Sequence, residues 1–197
     1  MSLFSMNDIS KKPTIKTESG SVTVSGHTTC RIGKANAKLQ EVFITIGQDQ
    51  ILPFVSLGDW STHDLLFFLL EQTGPARVYL TTWAISEYAI RQLYNLIEQG
   101  MIIELKGIFD YRNGIRKPGE LQFLEKISTE IKPAKCHAKV TVLENDNWGI
   151  SIVGSANYTR NPRIEAGVLF TLKDVAAFER NWIERELSNN SVFDGND

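Results

Sequence analysis

The sequence has 197 residues, of which 42% are hydrophobic and 22% are charged, and its formal net charge is −2. This composition excludes a disordered chain, which carries fewer large apolar residues and more net charge. The slightly acidic balance excludes a uniformly basic nucleic-acid binder, so that any such binding must use a local basic surface.

The first fifty residues carry weak patterns. Residues 1–20 are polar and are predicted to be mobile, and residues 21–29 alternate polar and apolar side chains as in a short strand or an arm. Residues 30–48 mix helix-compatible and β-favouring stretches and stay unassigned. We therefore expect an N-terminal extension over residues 1–50 and one compact domain over residues 51–197.

Helix signals recur along the second part of the chain. Ser61 and Asp64 are spaced as an N-cap and its capping-box partner, which predicts a helix that ends near Gly74. Apolar residues at helical spacing predict three more helices, over residues 86–99, 118–130 and 175–187. The last of these is expected to turn Phe178, Trp182 and Ile183 towards the core.

Strand patterns alternate with these helices. Five strands are predicted, over residues 77–82, 101–109, 137–143, 148–153 and 165–172, with a loop at 111–114 and a turn at 144–147. Strand–helix units followed by a hairpin predict an α/β fold with a mixed sheet.

The cysteine content and the apolar runs bear on the compartment. Cys30 and Cys136 are far apart and are expected to be free thiols, although a disulfide between them stays open. No segment has the pattern of a signal peptide, and the longest apolar block, residues 65–70, is too short to cross a bilayer. We expect a cytoplasmic protein without stable membrane insertion.

One group of residues carries a chemical pattern. His137 and Lys139 are two apart on a predicted strand, so they share a face, while Ala138 and Val140 point into the core. Further along, Gly154 allows close approach of a ligand to the backbone, and Ser155 and Asn157 offer a hydroxyl and an amide. An imidazole and an ammonium side by side suit a phosphate.

This arrangement resembles the phospholipase D superfamily, whose motif is His-x-Lys, four residues, Asp, a spacer, Gly-Ser and Asn. Glu144 takes the Asp position, with Asp146 nearby, and the spacer is longer than the commonest form. Asn161 and Glu165 resemble the polar and acidic positions that follow. The resemblance covers residues 133–170, is extended to about residue 77 by the element order, and does not reach residues 1–50.

The resemblance implies a phospholipase D-like mixed β-sheet flanked by helices on both faces. It also implies a metal-independent phosphodiesterase that needs no cofactor and acts through a phosphohistidine at His137. Lys139, Ser155 and Asn157 would then assist at the phosphoryl oxygens, and Glu165 would orient the histidine.

Members of the superfamily need two copies of the motif, whereas this chain has one. His27 and His63 are followed two residues later by Thr29 and Leu65, not by lysine. A homodimer with the site on its two-fold axis follows, similar to the small single-motif bacterial nucleases. His63 is expected to be an early-helix residue without a catalytic role.

The substrate is expected to be nucleic acid, cut as by an endonuclease on DNA or RNA. Gly154, Arg160, Arg163 and Arg112 are the candidate substrate contacts, the arginines as partners of backbone phosphates. Two alternatives stay open. One is a phospholipase D or phosphatidyl transferase acting on lipids, and the other is a non-catalytic protein of the same fold that binds nucleic acid or assembles with a partner.

Overall fold

The computed structural model describes residues 20–23, 29–31, 39–43, 45–160 and 163–189, the first two ranges by their backbone. The expectations for residues 1–19, for the Cys30 side chain and for Asn161 lie outside the described residues.

A mixed sheet forms the centre of the fold. Its described strands run in the order β2-β1-β3-β9-β8-β7-β4-β5-β6. Strands β4, β5 and β6 are parallel to one another, and the remaining neighbours are antiparallel. Their bounds are β1 Gly20–Thr23, β2 Thr29–Arg31, β3 Ile51–Ser56, β4 Ala76–Thr82, β5 Ile102–Asp110, β6 Glu130–Ala134, β7 Val140–Glu144, β8 Gly149–Gly154 and β9 Glu165–Phe170.

Helices cover both faces of this sheet. They are α1 Leu39–Val42, α2 Thr62–Thr73, α3 Glu87–Glu98, α4 Arg112–Arg116, α5 Pro118–Ile127 and α6 Lys173–Ser188. The larger core lies under α2, α3 and α5, and the smaller one lies under α6, where Ile183 packs with Tyr79 and Val142. The central strand β7 is accordingly buried on both faces from Val140 to Leu143. The predicted α/β fold with helices on both faces of a mixed sheet is confirmed.

Local sequence signals predicted the ends of α2 and α3 correctly. The Ser61 N–H donates to Asp64 Oδ2 at 2.9 Å, and the capping box opens α2 one residue later. At the start of α3 the Ala89 N–H donates to Ser86 Oγ at 3.3 Å. Gly100 follows α3 with φ of 70°, a left-handed conformation that glycine adopts without strain.

The segment after α5 differs from the prediction. The helix expected over residues 118–130 ends at Ile127, and β6 follows at once. This strand is at the edge of the sheet, where Pro133 is tolerated because no strand on the open side would accept a hydrogen bond from an N–H at this position. Pairing with β5 therefore overrides a local pattern that was compatible with more helix.

Three further differences concern neighbouring elements. Residues 111–114, expected as a loop, enter the short helix α4. Residues 51–56, left without an element, form β3 and pair with β9. On α6 the expected inner face is wrong for Phe178, which is 67% exposed, because the buried stripe runs through Ala176, Ile183 and Leu187.

Residues before position 51 contribute to the same structure. Val42, Phe43 and Ile46 are buried in the larger core, and β1 pairs with β3. Residues on both sides of the expected division at residue 50 thus share one core. None of the helices in the described ranges is both long and apolar enough to cross a membrane.

Candidate active site at one edge of the sheet

The motif residues meet at one edge of the sheet, the edge formed by the ends of its central strands. They meet there because of the directions in which these strands run. Strands β4 and β5 end at this edge, as does β8, whereas β7 and β9 begin there. The segments just outside the strands therefore lie side by side: residues 83–84 after β4, 137–139 before β7 and 155–157 after β8. Strand pairing alone brings together groups that are more than seventy residues apart in the chain.

His137 lies immediately before β7 and is exposed. Its side chain makes no hydrogen bond with the described residues, and its ring lies 5.9 Å from the Trp83 ring, inclined by 54°. The prediction of a strand beginning at residue 137 is wrong by three residues. Since the alternation of faces does not extend to this segment, Ala138 is exposed rather than in the core, while Val140 is buried.

Lys139 is half-buried beside the histidine. Its Nζ donates to the His137 carbonyl oxygen at 2.6 Å. Burial lowers the pKa of the Lys139 ammonium, and negative charges nearby, including those of Glu165 and Asp110, oppose that change.

Ser155 and Glu165 form a pair across the start of β9. The Ser155 hydroxyl donates a hydrogen bond to Glu165 Oε2 and accepts one from the Ala166 N–H at 3.1 Å. The serine hydroxyl thus holds the carboxylate in place. Among the described residues, this carboxylate makes no hydrogen bond to the histidine ring.

The Asn157 amide has a defined orientation. Its Oδ1 accepts hydrogen bonds from Thr82 Oγ1 at 3.2 Å and from the Ala84 N–H at 3.3 Å. Its Nδ2 makes no hydrogen bond with the described residues. The amide therefore presents a donor at the same edge as His137, which can stabilise an anionic oxygen.

Gly154 and Glu144 take structural positions. A Cβ on Gly154 would lie 2.9 Å from the Ala166 carbonyl oxygen, so the close approach of β9 requires a glycine at this position. Glu144 ends β7 at the opposite edge of the sheet, and its Oε2 accepts from Arg180 of α6 at 2.7 Å. The carboxylate at the Asp position of the motif thus ties the sheet to a helix, away from the histidine.

Arg112 is held by its own neighbours. It donates to both carboxylate oxygens of Asp110, at 2.6 and 3.0 Å, and its guanidinium lies 5.4 Å from the Trp83 ring centre. Burial would raise the pKa of the Asp110 carboxyl, but the hydrogen bonds from Arg112 and from the Cys136 N–H hold it below its usual value. Arg112 thereby supports the Trp83 ring that faces His137.

The two remaining arginines are exposed. The Arg160 guanidinium lies 5.1 Å from the Tyr88 ring centre, and Arg163 lies just before β9. Neither forms an ion pair with the described residues.

Cys136, next to the histidine, is buried as a free thiol in the smaller core, and burial raises its pKa.

Trp83 and Asp110 are parts of this edge that sequence reasoning missed. Trp83 directly follows the apolar strand β4, and Asp110 ends the apolar strand β5. A large or charged residue at the end of an apolar strand is the sequence signal that could have indicated them. No group of three or more histidine, cysteine, aspartate or glutamate side chains in the described ranges is arranged to hold a metal ion.

Comparisons with known proteins bear on the fold. No protein-family model and no curated protein sequence matches the chain. Among solved structures, 82% of the chain superimposes on 31% of the polyphosphate kinase from Porphyromonas gingivalis, with a TM-score of 0.56 and 13% identity. The phospholipase D family member Nuc from Salmonella typhimurium matches over 68% of this chain and 93% of its own, with a TM-score of 0.49 and 17% identity.

The chain has a phospholipase D-like fold. It spans about a third of the length of the polyphosphate kinase that it matches, 31%. At these identities the similarity is one of fold, so the activity has to be argued from the side chains of this chain.

Proposed function

We propose that the chain is a metal-independent phosphodiesterase that acts on nucleic acid through a phosphohistidine at His137. The observation that carries the proposal is the state of that side chain. It is exposed, its ring is free of hydrogen bonds to the described residues, and it lies at the edge shared by Lys139 and Asn157. A ring nitrogen of an imidazole in this position can attack phosphorus.

The reaction has two steps. A ring nitrogen of His137 attacks phosphorus, the bond to the leaving oxygen breaks, and a second histidine protonates that oxygen. Water then attacks the phosphohistidine while the second histidine takes its proton, and the P–N bond breaks. The Lys139 ammonium and Asn157 Nδ2 donate to the non-bridging oxygens as their charge grows. Glu165, held by Ser155, is assigned the role of orienting the imidazole.

The second histidine would be His137 of another copy, in a homodimer with the site on the two-fold axis. Two apolar side chains support a contact at this edge. Ile115, on α4, is 73% exposed, and Ile164, directly before β9, is 72% exposed. Both lie on segments that surround the motif, and burying them against a second copy would be favourable.

Nucleic acid is supported by the charges beside the motif. Arg160 and Arg163 are exposed and form no ion pair with the described residues, which leaves both guanidiniums available for backbone phosphates. Replacing both by glutamine should reduce the slope of log affinity against log salt by about 2, since each phosphate contact contributes about 0.9. An unchanged slope would place the nucleic acid elsewhere.

The activity is tested without metal. Single- and double-stranded DNA, RNA, phospholipid vesicles and a simple aryl phosphodiester are incubated with the chain in excess chelator, and His137→Asn serves as the control. We expect cleavage of nucleic acid, loss of it in the variant without loss of folding, and phosphohistidine on rapid quenching. Headgroup release from vesicles with intact nucleic acid would favour a lipid enzyme, and no turnover of any substrate would favour a binding protein.

A subunit-mixing experiment tests the shared site. When wild type and His137→Asn exchange subunits at equal amounts, total activity should fall to about half that of the wild type added, because mixed dimers hold one histidine. Independent sites would leave the total unchanged. Ile164→Asp should lower both the dimer mass in sedimentation and the activity.

A further inference from the structure

A cavity of about 390 Å³ lies beside the candidate active site, among α1, α2 and α3. We call it the α2–α3 cavity. It adjoins the motif through two contacts: Arg160, three residues after Asn157, lines it, and Thr62 Oγ1 at the start of α2 donates to the Ala156 carbonyl oxygen at 3.4 Å. Its volume is within the range of small-molecule sites.

Aromatic side chains form much of its wall. Trp60, Phe67 and Phe68 line the cavity, and Phe67 is 43% exposed although it is a large apolar side chain. Trp60 is held by a ring contact of 5.0 Å with Phe54, which fixes the orientation of its face. Flat apolar surfaces of this kind suit a planar ring.

The polar lining is mainly made of hydrogen-bond acceptors. Three carboxylates line the cavity, of which Asp64 is already used by Ser61 in the capping box. The other two are Asp59 and Glu71. Glu71 forms no ion pair or hydrogen bond with the described residues, and neither does the half-buried amide of Gln92 on the facing helix. An unpaired amide in a partly buried wall is a group that a ligand can satisfy.

The charges of the cavity disfavour a phosphate and favour a hydrogen-bond donor. His63 is buried, with ring nitrogens near Ser61 Oγ at 2.9 and 3.0 Å. Burial lowers the pKa of His63, Asp64 opposes this, and Arg160 adds to it. Three carboxylates then face one guanidinium, and that guanidinium lies over Tyr88 at the side towards the motif.

We propose that the α2–α3 cavity binds an unpaired nucleobase that carries an exocyclic amino group, namely guanine, adenine or cytosine. The base stacks on the Phe67 and Trp60 faces, Glu71 accepts from its amino group, and the Gln92 amide pairs with its edge. Arg160 contacts the phosphate between this nucleotide and the one being cut. The inference rests on the proposed function, since it names the part of a nucleic acid that is recognised next to the motif.

The first test removes the stacking surface. Phe67→Ala is compared with Phe178→Ala, which removes the same ring from an exposed position on α6. We expect Phe67→Ala to slow cleavage of single-stranded cytosine or adenine oligomers by between about fivefold and a hundredfold, the range of one base–aromatic stack. Cleavage of thymine oligomers should be slowed less than that of cytosine or adenine oligomers by Phe67→Ala, and cleavage of an aryl phosphodiester should change by less than about twofold in both variants. Equal effects of the two variants on all oligomers would overturn the proposal and leave the nuclease function intact.

The second test changes the acceptor. Glu71→Gln keeps one oxygen but adds an N–H₂ donor, so the ratio of cytosine to thymine cleavage should fall towards one, whereas Glu125→Gln on α5 should leave it unchanged. A ratio that stays at the wild-type value in Glu71→Gln contradicts the assigned acceptor.

A binding experiment separates the two proposals. Saturation-transfer NMR on the His137→Asn protein should show contacts to the rings of deoxycytidine and deoxyadenosine and weaker ones to thymidine, with loss of the contacts in an added Phe67→Ala. Such contacts would support the cavity even if no nucleic acid were cut. Absence of all nucleoside contacts would overturn the proposal of a nucleobase. Displacement of the nucleosides by choline, together with binding to phosphatidylcholine vesicles, would overturn it as well and would leave an organic cation as the ligand.

Discussion

The hydrogen bond between Tyr158 and Thr141 offers a test of how the motif segment is held. The two hydroxyl oxygens are 2.7 Å apart, and both side chains are almost fully buried, at 1% and 2% exposure. Tyr158 follows Asn157 directly, and its backbone is fixed separately, by a bond to the Ala84 carbonyl oxygen at 3.1 Å and one from the Ser86 N–H at 2.9 Å. The hydroxyl pair can therefore be removed without releasing the segment.

Tyr158→Phe leaves the Thr141 hydroxyl buried without a partner, and Thr141→Val does the same to the phenol. Each should lower the free energy of unfolding by about 1–3 kcal/mol, the cost of stranding a buried polar group. The double variant removes both groups and should cost less than the sum by at least about 1 kcal/mol. Because burial raises the pKa of Tyr158, the loss should be the same between about pH 6 and about pH 9.

The assay is urea unfolding followed by tryptophan fluorescence, with a melting-temperature loss of about 2–4 °C per kcal/mol as a second measure. The proposed phosphodiesterase activity, measured at a temperature where all variants are folded, should remain within about threefold of wild type, since the backbone contacts of Tyr158 persist. Strict additivity of the two substitutions, or a Tyr158→Phe protein as stable as wild type, would refute the hydroxyl pair as a buried, coupled contact.

Three other predictions concern stability. Asp110→Asn should destabilise the fold by about 1–2 kcal/mol at neutral pH. Because the folded pKa of Asp110 lies below its unfolded value, this difference should be constant above about pH 5 and disappear as the pH falls through the folded pKa; a difference that grows in acid would contradict the sign. Glu144→Gln breaks the ion pair with Arg180 and should cost up to about 1 kcal/mol, less at high salt, without changing kcat. Ile183→Ala should cost about 2–4 kcal/mol and Phe178→Ala less than about 0.5 kcal/mol, and equal losses in urea titrations would contradict the observed buried face of α6.

Contacts between nearby residues explain why some elements could be predicted. The capping box of α2 joins residues three apart, and the apolar spacing of α3 repeats within one helix. The hairpin of β7 and β8 is likewise local, with Glu144 opposite Gly149 across its turn. These signals act over a few residues and persist whatever lies around them.

Elements that depend on distant partners could not be predicted in this way. Strand β6 forms because it pairs with β5. Strand β3 forms because it pairs with β9, which lies more than a hundred residues later in the chain. The buried stripe of α6 is set by the sheet face on which the helix lies, so the exposure of Phe178 is invisible to helical spacing alone.

In the candidate site, too, some features follow from local sequence and others depend on distant contacts. His137, Lys139, Ser155 and Asn157 could be selected from residue types and spacing, because their chemistry belongs to the side chains themselves. Only the tertiary structure decided that Asn157 uses its amide oxygen and leaves its Nδ2 open, and that Ser155 is committed to Glu165. It also decided that the Trp83 ring lies near both His137 and Arg112. Those contacts join the ends of strands that are adjacent in the sheet but far apart in the chain, and strand order is a property of the whole fold.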